Sequence, residues 1–319
     1  MKLLDYVYVP FAWILEQFYN LSGNYIVALF FFAIVFKIIL LPSSISQQKS
    51  SAKMARIQPK VRRIQARYAG DQKKIQEETQ ALYQREGYNP MGAQGCLPML
   101  IQFPIIILLY NIIYQPLKYV LRIDEKELTA LTEAVKKVAE VKTDRQIEMT
   151  IMDKFSELSG VVSAETATKI EEFIENFSAF GVTLTTNPSF DVIKNWGTSE
   201  TGAKLLLLIP VLSGVTSLLT SIITQARQKK ENPEMAKNPS MGCMTYGMPL
   251  MSIYFAFQFP AGIGVYWIFQ NILSAIQTVV LHKIYRKEKV MAKELVVETI
   301  KRRSKENNTK AIAKMKNEK

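Results

Sequence analysis

The sequence predicts an all-α membrane protein that crosses the bilayer several times, and three observations support this fold class. First, 48% of the 319 residues are hydrophobic, and they are gathered into long apolar runs. Second, five of these runs approach the length of about 20 residues that a helix needs to cross roughly 30 Å of hydrocarbon. Third, strongly charged stretches separate the runs, which is the pattern of a multi-spanning membrane protein.

Five transmembrane helices are predicted from the apolar runs. They are placed at residues 24–41, 96–121, 203–225, 241–259 and 260–282. Pro260 and Gly262 mark a tight connection between the last two spans, which are therefore expected to form an antiparallel hairpin. Lys37 is the one charged residue in the first run.

The charged stretches predict the orientation of these spans. Residues 42–95 hold ten basic and four acidic residues, and residues 283–319 hold 13 basic and five acidic residues. The short loop 226–240 is also net basic, whereas residues 122–202 hold nine basic and 15 acidic residues. Because Lys and Arg are retained on the cytoplasmic side of a membrane, the amino terminus is expected outside and the carboxyl terminus inside.

The segments outside the spans are also predicted to be largely helical. Residues 1–23 form an aromatic-rich amphipathic helix expected to lie in the outer interface, with a short disordered lead-in as the alternative. Residues 122–202 repeat apolar residues at helical spacing, which predicts an extracellular helical cap. The basic cytoplasmic tail, residues 283–319, is expected to begin as helix and to end in disorder.

Residues 42–95 are predicted to form a cytoplasmic basic hairpin of two helices. The first helix carries an apolar seam at coiled-coil spacing, formed by Met54, Ile57, Val61, Ile64 and Tyr68. Gly70 and Asp71 make the turn, and Pro59 is expected to kink the first helix or to mark its start. A basic stripe on a second face favours an interaction surface, the alternative being a solvated connector.

Three motifs lie in order along the chain. They are Leu40-Leu41-Pro42 with Gln47-Gln48, Met54 and Gln58-Pro59-Lys60; the run Asn89 to Pro104; and Phe259-Pro260-Ala261-Gly262 with Tyr266-Trp267. Together they resemble the YidC-type membrane protein insertases, a family with mitochondrial and chloroplast relatives. The resemblance covers the five spans and the cytoplasmic hairpin, and it is to the five-span Gram-positive type in the bacterial plasma membrane. This chain departs from the family in having Lys37 where Arg is usual, Thr220 where Gln is frequent, and a longer outer loop.

Lys37 is the most informative residue of the predicted spans. A cation near the middle of a span costs about 3 kcal/mol, and the five predicted spans contain no Asp or Glu to pair with it. One interpretation is that Lys37 snorkels to the cytoplasmic edge, since the span ends only four residues later, at Leu41. The other is that it lines a water-filled cavity open to the cytoplasm.

Further polar residues of the spans are candidates for the walls of that cavity. They are Gln102, Thr216, Ser217, Thr220, Gln270 and Asn271. Each of them is also compatible with a hydrogen bond between neighbouring helices, so it is their number that favours a cavity.

The resemblance implies an insertase, or membrane chaperone, for nascent membrane proteins. Lys37 would attract acidic residues in the polar flank of a client, and the apolar part would slide past Tyr266, Trp267 and the Met-rich fourth span into lipid. Insertion of a client would need no nucleotide, cofactor, metal or small-molecule substrate. The expected partners are nascent chains, the ribosome through the basic tail and hairpin, the Sec translocon and anionic lipids, with the protein itself a monomer.

The sequence disfavours an enzyme and an ion-coupled transporter. The sequence contains no HExxH, GxSxG or Walker loop and no pair of carboxylates within a span, which argues against an enzyme. Ion-coupled transporters normally carry intramembrane acids and inverted repeats, and neither is visible here. A membrane scaffold remains open, and it would show one stable partner where an insertase would crosslink to many nascent chains.

Overall fold

The structure is a computed structural model, and it describes residues 5–88, 107, 110–140, 146–179, 182–231 and 239–317. The helices, in chain order, are α1 (Asp5–Ser22), α2 (Tyr25–Ile39), α3 (Leu41–Arg67), α4 (Gln72–Arg85), α5 (Pro116–Tyr119), α6 (Glu125–Val138), α7 (Ile147–Asp153), α8 (Phe155–Leu158), α9 (Ala164–Asn176), α10 (Asp191–Lys194), α11 (Thr201–Leu206), α12 (Leu208–Glu231), α13 (Pro239–Gln258), α14 (Ala261–Ile284) and α15 (Lys287–Asn317). A two-residue strand pair, β1 (Ser178–Ala179) and β2 (Val182–Thr183), is antiparallel. The chain divides into two compact units.

The first unit, Met1–Leu40, Leu100–Gln225 and Pro239–Gln277, begins with two helices joined by a tight turn. Gly23 ends α1 in a left-handed conformation with φ of 61°. Asn24 then caps α2, because its side chain accepts hydrogen bonds from the N–H groups of Ile26 and Val27 at 3.0 and 3.2 Å. The short turn brings the two helices into contact along their lengths.

Aromatic pairs show how α1 lies on α2. Phe18 stacks on Phe31 with ring centroids 5.5 Å apart, and Phe11 meets Phe36 at 5.0 Å. The earlier residue of α1, Phe11, meets the later residue of α2, Phe36, so the two helices run antiparallel. The predicted amphipathic helix is therefore present as α1 and packs against α2. Its placement in the outer interface stays a prediction.

Residues 122–202, called the cap below, form small helices packed on a shared apolar core. Asp124 and Ser163 cap α6 and α9 by accepting hydrogen bonds from the N–H groups of Lys126 and Thr166. The cap helices α6 to α9 turn apolar residues inward, and the buried ones include Leu131, Val135, Met149, Ile151, Phe155, Ile170 and Phe173. The cap is also joined to the start of α14, since the carbonyls of Thr186 and Leu184 accept hydrogen bonds from the N–H groups of Ala261 and Gly262 at 3.1 and 3.0 Å.

The second unit, Leu41–Met99, Ala226–Asn238 and Thr278–Lys319, is built around α3, α4 and α15. A small apolar cluster between α3 and α4 is centred on Ile57, Val61 and Tyr88. Glu86, just past α4, accepts hydrogen bonds from Arg56 at 2.8 Å and from Lys60 at 2.5 Å. α15 packs on α3, and Lys49 lies over the ring of Tyr285 at 5.4 Å.

In this unit the structure excludes one of the two alternatives for Pro59 and corrects the expectation for the tail. α3 begins at Leu41 and runs through Pro59, so this proline does not mark the start of the helix. The tail was expected to end in disorder, but α15 is a helix of 31 residues that reaches Asn317. Lys, Glu, Ala and Met are strong helix formers, and the ion pair between Arg302 and Glu306, four residues apart, adds to the helix.

In the described part of the chain, two helical stretches are long and apolar enough to cross a membrane. They are Thr201–Arg227 and Ala261–Ile284, and the bent pair Tyr25–Ile39 and Leu41–Arg67 makes a third if it counts as one span. Half of the predicted span 96–121 lies outside the described residues. The predicted span 241–259 coincides with a continuous helix, α13, although this helix is not among those that meet the length and hydropathy criteria.

Candidate functional site

Lys37 lies in the last turn of α2 and meets a neutral partner on α14. Its Nζ donates a hydrogen bond of 2.7 Å to the hydroxyl of Ser274, which in turn donates one of 2.6 Å to the carbonyl of Gln270. Phe30 and Phe269, whose ring centroids are 5.3 Å apart, pack the same two helices together two turns away. Lys37 is thus half-buried beside hydroxyl and carbonyl oxygens.

A polar row continues from Ser274 along α14. The side-chain amide of Gln270 donates a hydrogen bond of 2.6 Å to the hydroxyl of Tyr266. Tyr266 is only 3% exposed, so it supports Gln270 from inside the unit and does not offer an open aromatic face. Tyr266, Gln270 and Ser274 are spaced four residues apart and therefore share one face of the helix.

Trp267 belongs to an aromatic group at the beginning of α14. Its ring meets Phe259 edge-on at 5.7 Å and Phe255 at 6.4 Å. The indole is half-buried, and it ties α14 to the end of α13. Trp267 is next to Tyr266 in sequence, but the two side chains have different surroundings.

A second polar row joins α14 to α12. Asn271 donates hydrogen bonds to the hydroxyl of Thr216 at 3.2 Å and to the carbonyl of Ser213 at 3.3 Å. In return, the hydroxyl of Thr220 donates to the backbone carbonyl of Asn271 at 2.9 Å. These three candidate residues therefore make the interhelical bonds that were the alternative to cavity lining. Ser217 is half-buried on the same helix.

The structure adds three serines that the sequence did not single out. Ser274 is the partner of Lys37, and the fully buried Ser213 pairs with Ser252 of α13 at 3.0 Å between hydroxyl oxygens. A spacing signal existed for two of them, because Ser274 extends the row of Tyr266 and Gln270, and Ser213 precedes Thr216 and Thr220 at helical spacing. Gln102 lies outside the described residues.

The described side chains place Lys37 at the end of a row of neutral polar groups. This row offers hydrogen-bond acceptors to a cation and leaves its positive charge unneutralised by those groups, which suits attraction of an acidic segment. Among the described residues, no group of three His, Cys, Asp or Glu side chains is arranged to hold a metal ion.

Comparison with known proteins assigns the chain to a family. The family described as 60Kd inner membrane protein matches residues 17–289. The chain is 25% identical to "Membrane protein insertase YidC 2" of Listeria innocua over 94% of this chain and 80% of that protein. It is 25% identical to "Membrane protein insertase YidC 1" of Listeria monocytogenes over 89% of this chain and 73% of that protein.

A longer bacterial protein is also similar to the chain. The chain is 27% identical to "Membrane protein insertase YidC" of Brucella suis over 86% of its own length but only 35% of that longer protein. These relatives carry insertase names and not catalytic ones, in agreement with the motifs that lie along the sequence. The chain is therefore an integral membrane protein, not an enzyme, and it belongs to the 60Kd inner membrane protein family of YidC-type insertases.

Proposed function

We propose that the protein receives hydrophobic segments of nascent membrane proteins in a polar groove open to the cytoplasm and releases them sideways into lipid. The observation that carries this proposal is Lys37, a cation in an otherwise apolar helix whose hydrogen-bond partner is the neutral Ser274. A cation at this position is costly, and a water-filled groove is the environment that would keep it charged. Family membership supplies the clients, nascent membrane proteins.

The proposal includes five spans in the bacterial plasma membrane, with the amino terminus outside. α2, α12 with α11, α13 and α14 would supply four of them, and residues 96–121 the second. The basic segments 42–95, 226–240 and 283–319 would then be cytoplasmic. The segment 122–202, in which acidic residues outnumber basic ones, would be the outer cap.

The energy for insertion would come from the client. Transfer of about 20 apolar residues from water into hydrocarbon is favourable and needs no nucleotide. The obstacle is the polar flank, which must cross a region of low dielectric constant. Lys37 would hold the acidic groups of that flank part of the way across, beside the polar side chains of Gln270 and Ser274 on α14.

The apolar part of the client would be guided by α13. Met251 and Tyr254 are both more than half exposed on this helix. Met251 brings a flexible thioether, which adapts to segments of different shape. The predicted fourth span also contains Met241, Met244 and Met248, whose side chains lie outside the described part of the structure.

The basic helices α3 and α15 would bind the ribosome and anionic lipids. α3 and α15 expose many Lys and Arg side chains, and ribosomal RNA and anionic lipid headgroups both present phosphates to them. We also propose that the protein is a monomer and that it works beside the Sec translocon.

The test is rescue of a bacterium depleted of its own insertase, scored by insertion of a small single-span client with an acidic outer tail. Wild-type protein is expected to restore insertion, and Lys37→Arg to retain it because the cation is kept. Failure of the correctly localised wild-type protein with every client tried would contradict the proposal. A single stable partner in crosslinking, in place of many nascent chains, would favour a scaffold.

A further inference from the structure

An apolar groove of about 420 Å³ lies between α12 and α13 in the first unit. Its walls include Val211, Val215 and Leu218 on one side and Leu250, Ile253 and Phe257 on the other. Its described walls carry no charged side chain, so the groove suits hydrocarbon and not a polar solute. It is separate from the polar rows that surround Lys37, Gln270 and Asn271.

The length of the groove indicates what fits in it. Tyr246 and Phe257 both line it and are eleven residues apart on α13, which corresponds to about 17 Å at 1.5 Å per residue. That is about half of the 30 Å hydrocarbon thickness. A client span needs the whole thickness, whereas an acyl chain occupies one leaflet.

The end of the groove nearer the cap is marked by aromatic residues and a cation. Phe190, which precedes α10, stacks on Phe257 with ring centroids 3.8 Å apart and an interplanar angle of 21°. Trp196 is 55% exposed, and Nζ of Lys204 lies 5.4 Å from the centroid of its ring. Exposed Trp and snorkelling Lys side chains are typical of the level of lipid headgroups.

The cation and the groove share one helical path. Lys204 precedes Val211 by seven residues, or two turns, which places it about 10 Å beyond the end of the groove. From Lys204, exposed apolar residues continue along the same side at Leu208, Val211, Val215 and Leu218. The positively charged Lys204 therefore lies at the entrance of the apolar groove, which matches the anionic phosphate and the acyl chain of a phospholipid.

We propose that the groove, together with Trp196 and Lys204, is a binding site for one glycerophospholipid of the leaflet on the cap side. An acyl chain lies between α12 and α13, and the phosphate lies at Lys204. The site rests on the membrane placement of these helices and not on insertase activity, so its test needs no client.

The experiment uses the full-length protein in bilayers that contain a phosphatidylglycerol with a photoactivatable diazirine in its acyl chain. Mapping of the labelled peptides is expected to show labelling concentrated on Leu250 and Ile253, above that of Ile272 and Ile276, two exposed apolar positions of α14. Lys204→Gln is expected to lower this labelling about fivefold, the factor that corresponds to about 1 kcal/mol for one basic residue near phosphate. Lys118→Gln is the matched control, since Lys118 also lies over an aromatic ring, that of Tyr119, but does not lead into the groove.

A second variant separates lipid from client as the occupant. Val211→Trp fills the groove near its cap end and is expected to reduce acyl labelling while leaving client insertion unchanged. Equal labelling of Leu250, Ile253 and Ile276, or labelling insensitive to Lys204→Gln, would overturn the proposal by showing only bulk lipid. Loss of client insertion in Val211→Trp without a change in lipid labelling would also overturn it, because the groove would then belong to clients.

Discussion

The hydrogen-bond partner of Lys37 decides what this residue can do. Had its Nζ met a carboxylate, the pair would be neutral and its attraction for a distant charge small. The partner is instead the hydroxyl of Ser274, which orients the ammonium group without cancelling its charge. A lysine held in this way can act on a charged segment beyond its own contacts.

Replacement of Lys37 tests the electrostatic part of the proposal. Lys37→Gln keeps a hydrogen-bond donor for Ser274 but removes the charge, and it is expected to lower insertion of clients with acidic outer tails about tenfold, equivalent to about 1.4 kcal/mol. The measurement is the rate of insertion in the depleted strain. Ser274→Ala, which removes the partner and keeps the cation, is the control and is expected to have the smaller effect. Equal insertion by Lys37→Gln and wild type would contradict the electrostatic role.

Glu148 is a second residue with an unusual setting, at the start of α7 in the cap. It is 5% exposed, and its carboxylate accepts hydrogen bonds from the N–H groups of Leu117 and Lys118 at 2.8 and 3.1 Å. Burial raises the pKa of Glu148 from 4.5 to about 8, against the lowering effect of these two bonds and of the nearby positive charge of Lys118. Glu148 therefore links the cap to the chain at α5 in a way that depends on protonation.

The raised pKa of Glu148 predicts how the stability of the cap changes with pH. Because the folded state holds the proton more tightly than the unfolded state, the stabilisation is complete below about pH 4.5 and is lost as pH rises towards 8. The thermal midpoint in detergent is expected to fall across this range in the wild type and to fall less in Glu148→Gln. Glu133→Gln, at an exposed position of α6, should keep the full decrease. An unchanged pH dependence in Glu148→Gln would contradict this assignment.

The sequence predicted which residues of the site are polar or charged, but not which groups they contact. Lys37 was recognisable because a charge in an apolar run is costly, and Thr216, Thr220 and Asn271 because they are polar residues in spans. Their partners were not recognisable, since a hydrogen bond such as Lys37 to Ser274 joins residues 237 positions apart and depends on how two helices are rotated. Tyr266 has a phenol that suits either an exposed or a buried place, and only packing decides between them.

Among the helices, two glycines set the approach of α12 to its neighbours. A Cβ on Gly264 of α14 would overlap the side chain of Ile209, and one on Gly214 would overlap Ile253 of α13. Small residues at such contacts let helices pack closely in a membrane, where van der Waals contact takes the place of the hydrophobic effect. The hydrogen bonds of Asn271 to α12 depend on this short distance.

Substitution of Gly264 tests this packing. Gly264→Ala is expected to lower the stability of the protein by about 1–3 kcal/mol, because the added methyl group displaces Ile209. Thermal unfolding in detergent measures the effect, and Ile209→Ala in the same chain should restore part of the loss. Gly247→Ala on α13 is the control, since nothing lies within 4 Å of the added carbon. Equal effects of the two glycine substitutions would contradict the close contact.

The sequence predicted which segments are helical, but not what each helix packs against. Apolar periodicity and length indicated helices in spans and cap alike. α1 shows the limit, because its aromatic face suits both a lipid interface and the surface of another helix, and Phe11 and Phe18 found partners on α2. α15 shows a second limit, because a basic, low-complexity composition suits disorder as well as helix, and its Lys, Glu and Ala residues favour the helix that forms.

For the whole molecule, the net charge of +12 is distributed unevenly. Exposed basic side chains on α15 include Arg302, Arg303 and Lys305, and they are expected to bind phosphate-bearing surfaces. Replacement of all three by Gln should weaken sedimentation with anionic vesicles by about 1 kcal/mol per residue and reduce the salt dependence of ribosome binding. Lys126→Gln and Lys136→Gln in the cap provide the control. If vesicle and ribosome binding were unaffected by the α15 substitutions, α15 would not be the phosphate-binding surface.

The bonds from the cap to the start of α14 also bear on how this protein reaches its own membrane. A helix begins with N–H groups that lack partners within the helix, and in α14 the carbonyls of Thr186 and Leu184 accept from Ala261 and Gly262. These carbonyls lie about 75 residues earlier in the sequence, so they are synthesised before α14. Because segments nearer the amino terminus generally fold first during synthesis, we expect the turn that carries them to receive the start of α14 as this helix enters the membrane.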